Sequence, residues 1–447
     1  MSSLCDFFVA RQQTSGLRLR LTHVIASRLN GTYTTYLGLA SEAIACHRFA
    51  TKSTRLGATP TTNHQPPTTN HQPTTNNQQP TTNNQQPTKP RHNDQTNMPT
   101  KPFRAIVVSD QPSVKNPNLK ASLTTVSMDD LVDPNIPDQD VLVQIEYSSI
   151  NYKDALAAQA HPGIVKNLPT IAGITASGTV VESSNDEFKL GDQVFVAHAK
   201  FGTLANGGFA KYCRVPGDWL FRLPKNMSTE TVSAWGTAGV TAAQSVDKLL
   251  QQNITPDSGP VIVSGATGGV GIFSVMLLHK LGFEVVAITG KDDQHEWLKS
   301  LGASSIVRRS DFESMLNEKS KQPLLKSQYA AAIDTVGGNT LAGLLKMIQQ
   351  QGCIAACGMV GGNDLPTTVF PFILRGITLL GIDSANIPRQ PRQKIWDKIA
   401  DQWQVDLTRI VTRISLDEVL DHINLMLQGK TKGRLLVDVG TENNAAT

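Results

Sequence analysis

The chain has 447 residues, a formal net charge of +4 and five cysteines, too long for one ordinary domain and long enough for two with an extension. Nine basic and three acidic residues fall within residues 1–97, which accounts for +6 and leaves −2 for the rest. A body this close to neutral lacks the basic face that nucleic-acid binding needs, the scattered cysteines form no disulfide framework, and no run of about 18 apolar residues could span a bilayer.

The first 59 residues hold seven basic side chains against Asp6 and Glu42, with many Ser and Thr. Acid-poor leaders of this composition match organellar transit peptides, pointing to a mitochondrion or another organelle. The alternative is an unused extension upstream of Met98 and a cytoplasmic protein. Residues 60–97 carry a polar repeat, "PTTNHQP" and "PTTNNQQ". Such a tract cannot bury enough apolar surface to offset its ordering entropy, so it is expected to be a disordered linker.

Globular texture begins at Phe103. "FRAIVV", "DVLVQIEYSSI", "SGTVVES", "GDQVFVA" and "FAKYCRV" are short β-rich runs between Gly, Pro and Asp turns; they predict a compact, mostly antiparallel domain over 98–225. Over 226–400, "VIVSG", "VVAIT", "AAAIDTV", "CIAACG" and "ITLLGI" alternate with helix-length stretches such as "EWLKSLG" and "LAGLLKMIQQQG". That alternation predicts a doubly wound parallel sheet. "KGRLLVDV" (432–439) reads as a strand returning to the first domain, within a segment 401–440. The expected fold class is α/β, a β-rich domain plus a parallel-sheet domain behind a disordered N-terminal extension.

"SGATGGVG" (264–271) lies between a strand and a helix. Gly265 permits a tight turn, Gly268 and Gly269 let the backbone approach a pyrophosphate, and Gly271 lets helix and strand pack closely. Thr267 and Val270 complete the loop, whose N–H groups and helix dipole would face the anion. The next strand ends in Thr289, Gly290 and Lys291, where NAD sites place an acid for the ribose 2′-hydroxyl. A hydroxyl and a cation suit a 2′-phosphate instead, and Arg309 could approach it. NADP(H) is the expected cofactor. None of the six tyrosines has a lysine four residues on, which removes the short-chain dehydrogenases and their Tyr/Lys pair. Cys353 and Cys357 lack a second Cys/His pair, so no metal site is expected; they read as buried apolar residues.

"SSINYKDAL" (148–156), "GDWL" (217–220), "GTAGVTA" (236–242), "LPTTVFPFILRGITLLGIDS" (365–384) and "GRLLVDV" accompany the glycine loop in order. Together they resemble the zinc-free, quinone-oxidoreductase-like medium-chain dehydrogenases/reductases, and most closely the NADPH-dependent acrylyl-CoA reductase family. The resemblance implies a GroES-like catalytic domain, a Rossmann domain, and reduction of an enoyl-CoA double bond by hydride transfer to the β-carbon. It puts Asn151 and Tyr152 at the catalytic site, with Tyr152 against the nicotinamide, and Thr335 and Arg434 on the cofactor. Tyr152 could instead be a core residue, and Arg434 a structural ion pair.

The sequence departs from the family at "IAGITASG", where Ala172 and Thr175 stand for Pro and Asp, and at Lys291, which stands for arginine. Lys166, Lys200, Arg389 and Arg392 are candidates for a basic rim against CoA phosphates, while Lys153 and Asp154 read as a surface pair. The apolar edge strand "GITLLGIDS" implies a homodimer. A quinone reductase of the same branch, or an NADPH-binding protein without turnover, are the other readings.

Overall fold

The structure, a computed structural model, describes residues 101–440; the leader and the repeat lie outside the described residues. In chain order the first half runs β1 (Phe103–Val108), β2 (Ala121–Val126), β3 (Val141–Ile150), α1 (Tyr152–Ala158), β4 (Thr170–Ile171), β5 (Ala176–Ser183), β6 (Gln193–Val196), β7 (Tyr212–Val215) and β8 (Leu220–Arg222). The second half runs α2 (Thr229–Gln251), β9 (Val261–Val263), α3 (Gly269–Lys280), β10 (Val285–Thr289), α4 (His295–Ser300), β11 (Ser305–Arg308), α5 (Arg309–Glu318), β12 (Tyr329–Asp334), α6 (Gly338–Leu345) and β13 (Ile348–Ala356). It finishes with α7 (Phe370–Arg375), β14 (Thr378–Gly381), α8 (Arg389–Ala400), β15 (Val411–Ser415), α9 (Val419–Leu427) and β16 (Arg434–Asp438).

Two architectures result, and the expected α/β class holds. β3 is the backbone of a seven-stranded sheet in the order β15-β16-β3-β5-β6-β8, with β7 also on β3. Its pairings with β5, β7 and β16 are antiparallel. A smaller sheet of β2-β1-β4 packs nearby. The other main sheet is parallel, in the order β11-β10-β9-β12-β13-β14. Renumbered from β9, that is 3-2-1-4-5-6, the doubly wound order whose ligand crevice opens where the order reverses, between β9 and β12. β12 shows why the sequence reads this way: all six residues of "YAAAID" are buried, as a strand covered by helices on both faces requires.

One helix was misplaced by pattern. "LAGLLKMIQQQG" is helical only to Leu345, and its second half opens β13. Pairing of β13 with β12 overrides the helical propensity of the glutamines, with a register shift and Gln351 at φ 62° absorbing the change.

α2 bridges the two sheets. Gly236 breaks it with φ 46° and ψ −153°, a conformation that only glycine adopts cheaply. Trp235 stacks on Phe273 of α3 at 4.4 Å between ring centroids. Among the described residues no helix is long and apolar enough to cross a membrane.

Candidate active site

The glycine loop leaves β9 at the switch point. Gly265 has φ +59°, and a Cβ there would stand 2.4 Å from the Thr335 hydroxyl. At Gly271 a Cβ would meet the Gly265 carbonyl at 2.3 Å, so the helix can begin this close to the turn only without a side chain. Gly268 is exposed and caps α3. The N–H groups of Gly269, Val270 and Gly271, in the first turn of α3, have no intrahelical acceptor and present positive charge at the loop. Beneath them Ser264 donates to Asp334 at 2.6 Å, and Asp334 also accepts from Gly337 N at 2.8 Å. That carboxyl is buried and ties the two strands flanking the crevice. Thr335 Oγ1 donates to Ser264 O at 2.9 Å, and Thr267 O accepts from Gly433 N at 2.9 Å. The crevice is therefore rigid before any ligand arrives, and its free donors and missing side chains fit a dinucleotide pyrophosphate.

At the end of β10, Thr289 is 2 % exposed and its hydroxyl accepts from Lys291 N at 3.1 Å. Thr289 shapes the turn and does not face outward. Gly290 is exposed, with the Arg309 guanidinium 2.8 Å from where its Cβ would be. Lys291 donates to Thr431 O. A residue the sequence reading missed, Lys432, joins them: its ammonium donates to Gln294 Oε1 at 2.6 Å and lies 5.0 Å over the Trp297 ring. Burial holds the Lys291 amine below its ordinary value, with Lys432 and Arg309 pushing the same way against Asp293. Three cations thus converge beyond the end of β10, an arrangement that fits a dianionic phosphate. The signal was the cation run "KTKGR", 140 residues away from Lys291 and legible only once β16 is placed.

The second concavity is a cleft between the two main sheets. Lys153, Thr175, His198, Gly236, Thr237 and Arg392 supply its polar wall; Phe195, Val240 and Trp396 are among its apolar residues. Tyr152 opens α1 and is 42 % exposed, so it is not a core tyrosine. Asn151 donates from Nδ2 to Ser149 O at 3.1 Å, to Asp154 Oδ2 at 3.2 Å and to Thr175 Oγ1 at 3.3 Å, while its Oδ1 is buried without a partner. Its amide hydrogens are committed to the protein.

Asp154 corrects a sequence expectation. It is fully buried, not half of a surface pair. Its carboxylate accepts from Asn151 N at 2.7 Å and from Ile174 N at 2.8 Å, joining the start of α1 to the turn that carries Thr175. Burial pushes its pKa up to about 6, opposed by those hydrogen bonds and by the charge of Arg434. Lys153 separates from it and lies on the cleft wall.

For Arg434 the ion-pair alternative is corrected. It is 2 % exposed and donates to Ala234 O at 2.9 Å, Ile150 O at 3.1 Å and Ser149 Oγ at 2.9 Å. The carbonyl freed by the Gly236 break is thereby satisfied. The guanidinium makes no carboxylate ion pair among the described residues and sits under Gly269, 3.0 Å from where a Cβ would be. It reaches the glycine loop from below. Of the four rim candidates, Lys166 and Lys200 are exposed. Arg389 is committed to Glu187 at 3.1 Å, to Leu220 O at 2.7 Å and to the Phe221 ring at 4.4 Å. Arg392 is buried inside the cleft.

Among the described residues no group of three or more His, Cys, Asp or Glu is placed to hold a metal ion. Burial pushes the thiols of Cys353 and Cys357 up to about 12, which leaves them inert.

Comparison with known proteins agrees with this arrangement. Residues 137–225 match the alcohol dehydrogenase GroES-like domain and residues 269–401 the zinc-binding dehydrogenase domain. The chain is 42 % identical over 323 residues to "Putative quinone oxidoreductase YhfP" of Bacillus subtilis, covering 72 % of this chain and 95 % of that one. It is 39 % identical over 339 residues to the acrylyl-CoA reductase AcuI of Ruegeria pomeroyi, covering 75 % and 99 %. The crystal structure of Escherichia coli YhdH with bound NADPH superposes with a TM-score of 0.69 at 38 % identity, covering 75 % of this chain and all of that one. With both domain types, the switch-point glycine loop and relatives at this identity over nearly their whole length, the chain belongs to the medium-chain dehydrogenase/reductase family, in the branch of the quinone oxidoreductases and acrylyl-CoA reductases.

Proposed function

We propose that the protein is an NADPH-dependent reductase of the carbon–carbon double bond of a short enoyl-CoA such as acrylyl-CoA, giving the saturated thioester. The observation that carries this reading is the crevice with three cations at its ribose end, Lys291, Arg309 and Lys432, next to a narrow, largely apolar cleft. When bound, the reduced nicotinamide supplies a hydride. This chain's residues do the rest. The N–H groups at the start of α3 hold the pyrophosphate, and Lys291 and Arg309 hold the 2′-phosphate. Arg434 supports the loop from beneath. Tyr152, exposed at the mouth of α1, donates its hydroxyl hydrogen to the substrate carbonyl oxygen, and Asn151 fixes the start of that helix. Phe195, Val240 and Trp396 exclude water from the acyl group.

Similarity to a quinone oxidoreductase supports a second reading, a quinone as electron acceptor in the same cleft. NADPH oxidation by the full chain, followed with acrylyl-CoA and separately with benzoquinone, distinguishes them. One NADPH consumed per saturated thioester is expected; turnover with quinone alone overturns the thioester assignment, and NADPH binding without turnover on either supports the non-catalytic reading.

Sheet edge β14 is open, and Met359, Val369, Ile373 and Leu374 beside it are more than half exposed. A second copy of the chain covering that edge makes a homodimer. The acid-poor leader supports delivery to an organelle, which mass spectrometry of the native N-terminus tests.

A further inference from the structure

Arg392 is 8 % exposed and lies on the cleft wall. Its Nη2 donates to Ala385 O at 3.0 Å and to Ile387 O at 3.2 Å. Among the described residues no carboxylate lies within ion-pair distance of it, and no protein acceptor meets its Nε or Nη1. A buried guanidinium without a counter-charge is costly, and here Nη2 is anchored while Nη1 and Nε are left to the cleft. The acid that acts on it through space is Asp383, an exposed residue whose carboxylate is taken by Asn386 Nδ2 at 2.8 Å and Asn386 N at 3.2 Å. From the other walls come Lys153 and His198. Burial keeps His198 below its ordinary imidazole value, and its ring stacks on Trp219 at 4.1 Å. Every charged or titratable group lining this cleft is therefore a potential cation.

Depth decides what Arg392 meets. A CoA pyrophosphate stays solvated at a rim, whereas Arg392 stands one helical turn from Trp396 on α8 and shares the cleft lining with Thr237 at the Gly236 break. Of the sequence-derived candidates for stabilising developing charge, Asn151 has no amide hydrogen to spare. Building on the reading given above, we propose that Arg392 is a second electrophilic catalytic residue, joining the Tyr152 hydroxyl at the substrate carbonyl oxygen as it becomes an oxyanion. When the β-carbon gains hydride, the double-bond electron pair moves to join the α-carbon to the carbonyl carbon, and the carbonyl pair moves onto oxygen. Nη1 of Arg392 donates to that oxygen. The pair then returns as a solvent-derived proton adds to the α-carbon, which leaves the saturated thioester and an unchanged guanidinium. The pKa of Arg392, lowered by burial to about 10, leaves it charged at neutral pH.

The test uses the full chain and two variants. Arg392→Gln keeps a donor for the carbonyls without charge; Arg392→Ala opens space for chemical rescue. For acrylyl-CoA we expect kcat to fall about 10²–10³-fold with little change in the Kd for NADPH, and millimolar guanidinium to restore Arg392→Ala at least in part. Acetoacetyl-CoA gives a readout without turnover: its near-ultraviolet enolate band should appear on the wild-type protein at a lower pH than on either variant. An unchanged kcat, or an enolate band alike on all three, overturns the assignment. Equal loss of stability and activity in both variants, without rescue, makes Arg392 structural and overturns it too. A wild-type protein that reduces no enoyl thioester defeats the reductase reading instead, and the enolate titration still reports on Arg392.

Discussion

The glycine loop is built from one run of eight residues, Ser264–Gly271, between a strand and the helix it opens. Ile174, Gly236 and Arg392 line the cleft and Asp154 and Arg434 are bonded behind it, so five segments spread over 280 residues of sequence build it. Local chemistry builds the first: no side chain fits, so glycine is required. Tertiary convergence builds the second, where buried charges are satisfied by carbonyls and amides that no neighbouring residue supplies. A change in the loop should therefore act on one ligand, and a change in the wall on several elements together.

The sharpest way to break this contrast is Gly271→Val. Its Cβ would meet the Gly265 carbonyl at 2.3 Å, so NADPH binding measured by calorimetry should be lost by at least about 100-fold, a penalty near 3 kcal/mol. Retained binding would show that the loop is not the pyrophosphate site. Next in size is cofactor choice. Lys291→Glu and Lys432→Glu should each cost roughly tenfold or more in the Kd for NADPH with little change for NADH, as expected for a single charge-assisted contact of about 1.5–3 kcal/mol. Equal losses for both coenzymes would remove these lysines from the 2′-phosphate.

Asp154 tests the wall. Burial raises its folded pKa to about 6, above the ordinary carboxylate value of 3.8, so the folded state holds its proton more tightly. The stability this confers is complete below about pH 4 and is lost as pH rises to about 6, on the order of 3 kcal/mol. Against Asp154→Asn, whose side chain does not titrate, the wild-type protein should lose relative stability across that window in urea unfolding, and parallel curves would show that the carboxyl is not desolvated. The smallest effect is expected at the sheet edge. Ile373→Glu should shift the sedimentation coefficient from dimer to monomer at low micromolar concentration with the fold intact; an unchanged assembly would place the contact elsewhere.

The same contrast explains what could be read from sequence. The glycine loop, the cation after β10 and the alternation of parallel strands with helices all rest on spacing within about 30 residues, and they were legible. Asp154 was not, because a carboxylate beside a lysine looks like a surface pair until Ile174 closes over it. Arg392 looked like a rim charge, since an Arg-rich helix start carries no mark of the cleft behind it. Lys432 was hidden by distance along the chain. The opening of β13 was misread because "QQQ" favours helix in isolation and becomes strand only through its neighbour β12.

Arg434 begins the last strand, yet it satisfies the break in α2 and underpins the glycine loop. During synthesis both sheets can be largely translated while that guanidinium is still inside the ribosome. The protein therefore gains its chemistry late and all at once: a chain that stops short of Arg434 keeps most of its core and should form no working centre.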